Sequence, residues 1–249
     1  MIHKAKKSLG QNFLKSELAL KKIIEAGEIK PEDIILEIGP GKGALTEKLF
    51  EHSNKIIAVE KDRKLYEFLK EKFSLQIKSG ALSLLNQDIL DLNIKNEYKI
   101  IANIPYNITG AILKKFLTAK YQPECMVLMV QHEVAKRIIA RDKKESILSI
   151  SVKAYGEPKI IMKVPARYFS PAPKVDSAII KINNISRKIF EENKVNEEKF
   201  WEIVKTGFAH KRKKLSSNLK KIDNISVENL KNKRAEDLNL LDWFNLAKN

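Results

Sequence analysis

Cysteine occurs once in the 249-residue chain, at Cys125, so no internal disulfide can form. Its surroundings, ECMVLMVQ, read as a buried strand and the thiol as an inert core group. Long apolar runs are missing too. None approaches the roughly 20 residues of a membrane-spanning helix, and the opening MIHKAKKSLG lacks the apolar core of an export signal. The expectation is a soluble, cytoplasmic protein without membrane association, and a monomer. Metal-ligand spacing is also absent: the four histidines do not pair with the cysteine, and neither His132 nor His210 has a second ligand at helical distance. No internal repeat or low-complexity tract is present. What the chain has in excess is positive charge. With 47 Lys and Arg against 31 Asp and Glu, the formal net charge is +16, which points to a polyanionic partner. A hydrophobic content of 43% supports one sizeable core.

The apolar pattern alternates in type along the chain. ELALKKIIEAG spaces Leu18, Ile23 and Ile24 as one face of a helix, with Gly27 as its end. DIILEIG (33–39) is a dense apolar run closed by glycine, as in a buried parallel strand, and ALTEKLFEH returns to helical spacing. KIIAVE, LSLLNQD, YKIIAN and MVLMVQ read as further strands, and LYEFLKEKF, TGAILKKFLTA and HEVAKRIIA as helices between or after them. Repeated strand-helix units predict a mostly parallel sheet covered on both faces. ILSISVKAY fits helix or strand, with helix favoured. KIIMKVP and VDSAIIKI follow each other without a helix and predict an antiparallel pair at the sheet edge. Beyond Ile182 the composition turns polar and only helical patterns follow, which places a boundary near 185.

EIGPGKGALT (37–46) lies between a strand and a helix, where a nucleotide-binding glycine turn belongs. Gly39 and Gly41 allow close approach of a ligand to backbone, although a plain tight turn needs the same residues. Glu60 ends the next strand about 20 residues on, where a carboxylate accepts hydrogen bonds from ribose hydroxyls. Asp88 follows the third strand in the same way, whereas Asp62 reads as a helix cap. A dinucleotide fits poorly, because the glycines fall at 39, 41 and 43 and break the G-x-G-x-x-G spacing. A mononucleoside such as S-adenosylmethionine fits better, with its ribose on Glu60, its adenine on Asp88 and no pyrophosphate to cradle.

NIPYNIT (103–109) brings an amide, a proline and a tyrosine to the end of the fourth strand. The amino nitrogen of an adenine is a poor nucleophile because its lone pair is delocalised into the ring. The Asn103 amide oxygen and the Ile104 carbonyl are suited to accept its two N–H protons and localise that lone pair. Pro105 restricts Ile104 to an extended conformation, and Tyr106 offers a stacking face for an extruded base. The competing interpretation is a loop with a capping asparagine and a packed tyrosine.

These stretches, together with SLGQNFL (8–14), AVEKD, NQDIL and YFSPAPKVDSA (168–178), stand in the order found in the ribosomal RNA adenine dimethyltransferases, which the chain resembles over residues 4–182. The resemblance implies a Rossmann-like S-adenosylmethionine-dependent methyltransferase domain over 1–184 and a small all-α RNA-binding domain over 185–249. It further implies that Asn12 and Leu14 contact the cofactor from an arm folded over it. From sequence alone that arm is a polar loop before a helix. Gly39, Glu60, Asp88 and Asn103 are implied as the remaining cofactor contacts, and Phe169 as a second aromatic gripping the target base opposite Tyr106. Ile104 stands where the family more often has leucine.

The implied reaction is dimethylation of the N6 amines of two adjacent adenines in the 3′-terminal hairpin of small-subunit ribosomal RNA. The immature small subunit is the implied partner. Basic residues cluster at Lys4, Lys6 and Lys7 and at Lys211, Arg212, Lys213 and Lys214, the expected phosphate contacts. Two alternatives remain: a large-subunit RNA adenine methyltransferase of the macrolide-resistance type, and an assembly factor acting mainly by binding. Gly10 before Gln11 and the intact PAPKVDSA favour the small-subunit enzyme.

Overall fold

The computed structural model of the chain describes residues 6, 10–220, 222, 230 and 232–248. Along them the strands are β1 (Phe13–Leu14), β2 (Ile35–Ile38), β3 (Ile56–Val59), β4 (Leu82–Leu85), β5 (Lys99–Asn103), β6 (Met126–Gln131), β7 (Glu157–Val164), β8 (Phe169–Ser170) and β9 (Ser177–Asn183). The helices are α1 (Glu17–Gly27), α2 (Ala44–Phe50), α3 (Arg63–Lys72), α4 (Ser74–Lys78), α5 (Thr109–Leu117), α6 (His132–Ile139), α7 (Ile147–Lys153), α8 (Lys188–Asn193), α9 (Glu197–Gly207), α10 (Leu215–Leu219) and α11 (Leu240–Lys248).

One sheet runs in the order β4-β3-β2-β5-β6-β9-β7. Its first five strands are parallel, and β9 joins β6 antiparallel. Every residue of β2 is buried, as are the first four of β5, which is why both strands are unbroken apolar runs apart from Glu37 and Lys99. The fold is thus α/β and Rossmann-like. The chain winds from β2 outward to β4 and then returns to lay β5 on the other side of β2. The order reverses there, and the crevice at the carboxyl ends of β2 and β5 is where such sheets bind ligands. Gly39 follows β2 and Asn103 ends β5, so both lie at that crevice.

Two details depart from the sequence expectation, at Leu18 and in the arm before α1. Leu18 is 52% exposed, and α1 instead buries Leu20, Ile23 and Ile24. As expected, β7 and β9 are neighbours at the sheet edge beyond β6; β9, buried over Ser177–Ile182, is the inner strand next to β6, and the half-exposed β7 is outermost. The polar arm before α1 contains the short strand β1, which pairs antiparallel with β8 in a separate ribbon. ILSISVKAY is helical, started by a reciprocal cap between Ser146 and Ser149.

Contacts divide the chain into two compact units. One holds the described residues up to Ala135 with Pro158–Ile185, and the other Lys136–Glu157 with those from Ser186 onward. The composition change near 185 marks the second crossing, but 136–157 carries no such mark, because a helix covering one core has the same periodicity as a helix covering another. In the first unit Leu20, Ile23, Ile35, Ile101, Val127 and Ile179 belong to one hydrophobic cluster. In the second, Phe200 and Phe244 stack at 4.5 Å between ring centroids and Phe190 meets both edge-on. Tyr155 stacks on Trp201 and donates to Glu197, which also pairs with Arg187 at 2.9 Å. Among the described residues no helix is long and apolar enough to cross a membrane. Cys125 is buried, and that burial pushes its thiol pKa up.

Candidate active site

Between β2 and α2 the chain turns through Gly39, Gly41 and Gly43, all left-handed, with φ of 65°, 61° and 81°. Only glycine adopts this conformation without strain. At Gly41 a Cβ would also stand 3.0 Å from the Phe13 ring, so the missing side chain lets the arm lie against the turn. The Gly41 N–H donates to Glu60 Oε2 at 3.2 Å, and the Asp62 N–H to Glu60 Oε1 at 2.8 Å. Glu60 is 6% exposed. Burial raises its pKa most, and the two backbone donors oppose that rise.

Glu37 lies one turn of pleat further back, 1% exposed, and accepts from Thr46 Oγ1 at 2.7 Å. Burial, with a smaller contribution from the nearby Glu60 charge, pushes its carboxyl up to about 8. An acid raised in the folded state binds more protons folded than unfolded, so stability falls as pH climbs from the ordinary carboxylate range through about 8. Glu37→Gln keeps an acceptor for Thr46 and removes the charge. It is expected to raise unfolding free energy at pH 8 by roughly 2 kcal/mol while changing it little at pH 5, as read by urea denaturation at both pH values. The only sequence signal for Glu37 is a charge inside the apolar run DIILEIG.

Asp88 sits three residues past β4. Its Oδ1 accepts from the Leu90 N–H at 2.9 Å, and its Oδ2 pairs with Lys61 at 2.6 Å. The Lys61 hydrogen bond, foremost, holds its carboxyl below the usual range, so Asp88 is charged where Glu37 is protonated. Asp62 caps α3, accepting from the Lys64 and Leu65 N–H groups, as its position in the sequence suggests.

Asn103 donates from Nδ2 to the Asn12 carbonyl at 3.1 Å. Its NH2 is thereby committed to the arm, which leaves the amide oxygen for an incoming donor. The Ile104 side chain is buried at 2% exposure, and among the described residues its carbonyl accepts no hydrogen bond. Pro105 is extended, with φ −61° and ψ 125°, and begins a single 3₁₀ turn over Tyr106–Ile108. Tyr106 shares a 2.6 Å hydrogen bond between its Oη and Ser177 Oγ, and burial raises its phenol to about 12. It is a neutral ring held at one end. Ser177, the serine of PAPKVDSA, is fully buried, and nothing in its sequence position marks this role.

One cavity of about 450 Å³ is lined by Asn12, Leu14, Gly39, Gly41, Glu60, Asp88, Asn103, Ile104 and Tyr106, together with Glu37, Lys61 and Asn107. Phe169 does not line it. Its ring is 2% exposed and belongs to the hydrophobic cluster around Leu14 and Leu20. Successive strand residues face opposite ways, and in β8 it is Ser170 that reaches the cavity. The pairing of Leu14 with Phe169 and of Phe13 with Ser170 ties the arm to this strand.

The basic residues divide. Lys4 and Lys7 lie outside the described residues. Lys6 is not a free phosphate ligand here: its Nζ pairs with Asp62 Oδ2 at 2.9 Å, because a fully buried carboxylate is the strongest local anion. Lys211, Arg212, Lys213 and Lys214 are exposed and form the turn between α9 and α10 rather than part of a helix. Lys214 Nζ also donates to Asn232 Oδ1 at 2.8 Å. The turn is closed by the buried Asn218, whose Nδ2 donates to the carbonyls of Gly207 and His210. Among the described residues no group of three His, Cys, Asp or Glu side chains is placed to hold a metal ion.

Comparison with known proteins agrees with this geometry. The family model for ribosomal RNA adenine dimethylase matches residues 2–248. A ribosomal RNA small subunit methyltransferase A of Dehalococcoides mccartyi is 42% identical, over 98% of this chain and 88% of its own length. One of the same name from Fusobacterium nucleatum is 39% identical, over 100% of this chain and 98% of its own. Among solved structures, a dimethyladenosine transferase from Plasmodium falciparum superposes with a TM-score of 0.81 at 28% identity, covering 94% of this chain and 95% of that one. The 23S rRNA methyltransferase ErmE gives 0.73 at 26% identity, covering 96% and 100%. With a family model spanning nearly its whole length and relatives of this identity and coverage, the chain belongs to the ribosomal RNA adenine dimethylase family.

Proposed function

We propose that this member of the family uses S-adenosylmethionine to dimethylate the N6 amines of two adjacent adenines in the 3′-terminal hairpin of small-subunit ribosomal RNA, as a step in small-subunit biogenesis. The observation that carries it is the commitment of the Asn103 NH2 to the Asn12 carbonyl, next to an unengaged Ile104 carbonyl, in the cavity that also holds Glu60 and Asp88. Two acceptor oxygens side by side suit an exocyclic amine with two protons to give away. The cofactor supplies an electrophilic methyl group on a sulfonium.

The chain's residues do the rest by holding and aligning. Glu60 has both oxygens anchored by backbone N–H groups, and its remaining lone pairs suit ribose hydroxyls. Asp88, charged and fixed by Leu90 and Lys61, suits the amino group of the cofactor's adenine. Asn103 and Ile104 draw the acceptor nitrogen toward tetrahedral geometry while Tyr106 stacks on the extruded base, a contact worth roughly 1–3 kcal/mol. Alignment of an in-line displacement supplies most of the acceleration. The N–C bond forms as the S–C bond breaks to a neutral thioether. The methylated nitrogen, now a strongly acidic cation, gives its proton to water, so no general base of tuned pKa is needed. Phe169, buried beside Leu14, has no part in this scheme.

RNA is held in part by the exposed turn Lys211–Lys214 in the second unit. Replacing its four cations with glutamine is expected to weaken RNA binding and to flatten the slope of log affinity against log salt by about 2 to 3, measured by filter binding across a salt series. The reaction itself is tested by mass spectrometry of nucleosides after incubation with labelled S-adenosylmethionine. Small-subunit particles, large-subunit RNA and duplex DNA serve as alternative substrates. Dimethyladenosine confined to the small-subunit particles is the expected result. Label confined to large-subunit RNA would favour the activity named for ErmE instead.

A further inference from the structure

The buried carboxylate of Asp62 is one of the anchors of the N-terminal arm. The Asp62 side chain is 0% exposed. Its Oδ1 accepts from the N–H groups of Lys64 at 2.9 Å and Leu65 at 3.4 Å, which fixes its orientation on the first turn of α3. Its Oδ2 takes two donors from the arm, Lys6 Nζ at 2.9 Å and Gln11 Nε2 at 3.2 Å. Those two residues are also joined to each other, the Lys6 N–H donating to Gln11 Oε1 at 2.7 Å. The next residue, Asn12, offers its carbonyl to Asn103, and the Asp62 N–H holds Glu60. One aspartate therefore connects the arm that covers the cavity to the carboxylate inside it.

We propose that Asp62 is a positioning residue that clasps the arm over the cavity through Lys6 and Gln11 and thereby sets how long S-adenosylmethionine stays bound. The proposal rests on the cofactor reading above. Helix capping alone needs only Oδ1, so the capture of a lysine by the second oxygen is a separate function. Lys6 is 45% exposed in its side chain, so its positive charge serves the clasp rather than packing. The charge-assisted contact is of the strong kind.

The test is binding of S-adenosylmethionine to the full chain in the absence of RNA, by calorimetry and stopped-flow dissociation. Lys6→Met and Asp62→Asn are compared with Lys6→Arg. Asparagine keeps the oxygen that caps α3, so the substitution removes the clasp and leaves the helix start. Lys6→Met and Asp62→Asn are expected to raise Kd about tenfold, chiefly through faster dissociation. Lys6→Arg is expected to restore the wild-type rate, and Lys6→Met to keep a cooperative unfolding transition at a somewhat lower midpoint, well above the assay temperature. An unchanged dissociation rate in Lys6→Met overturns the proposal, as does a Lys6→Arg variant as weak as Lys6→Met. A wild-type chain that binds no S-adenosylmethionine would instead overturn the assignment of the cavity.

Discussion

Asn103→Ala is expected to lower the single-turnover rate of methyl transfer by roughly 10²–10³-fold at saturating cofactor, the cost of removing one hydrogen-bonding group aimed at charge that develops in the transition state. RNA affinity should hardly change, because the phosphate contacts proposed above do not include Asn103. The alanine removes two things at once, the acceptor for the amine and the donor to the Asn12 carbonyl. Asn103→Asp separates them. An aspartate retains acceptor oxygens but sets one against the Asn12 carbonyl, so it should weaken cofactor binding through the arm as well as slow transfer. Quench-flow with labelled cofactor, paired with RNA binding by fluorescence anisotropy, distinguishes the two losses.

Glu60→Ala should weaken S-adenosylmethionine binding by roughly 2–4 kcal/mol, about 30- to 1000-fold. The loss has two sources: the ribose partner disappears, and the N–H groups of Gly41 and Asp62 lose the carboxylate that now accepts from them. Glu60→Gln is not a mild replacement. Both carboxylate oxygens accept backbone N–H groups, so a glutamine must turn its own NH2 toward one of those donors. Titration calorimetry should therefore find glutamine nearly as damaging as alanine. A glutamine variant of wild-type affinity would show that Glu60 does not organise the turn.

Much of this site is legible in the sequence because its parts are strand ends. Gly39, Glu60, Asp88 and Asn103 each follow or close an apolar run, and parallel winding brings all such ends to one edge. The strands of the sheet were readable for the same reason, since β2 is buried throughout and β5 and β6 are buried up to their last residue. What escaped depends on contacts between distant segments. The insertion of β9 beside β6 leaves no local trace, nor does the Tyr106 bond to Ser177. Phe169 shows the limit of a motif: its residues stand in the expected order, yet the two-residue strand β8 turns the ring to the core and the serine to the cavity. Lys6 shows the limit of counting charges, because a cation in a basic arm is consumed by a buried aspartate 56 residues away in sequence.

The pair of oxygens at Asn103 and Ile104 is tested most directly by a crystal structure of the chain with S-adenosylhomocysteine and an adenosine-containing hairpin. The adenine N6 is predicted within hydrogen-bonding distance of both Asn103 Oδ1 and the Ile104 carbonyl, with the Tyr106 ring parallel to the base. An adenine bound in the cavity with its amino group facing away from both oxygens would contradict the account.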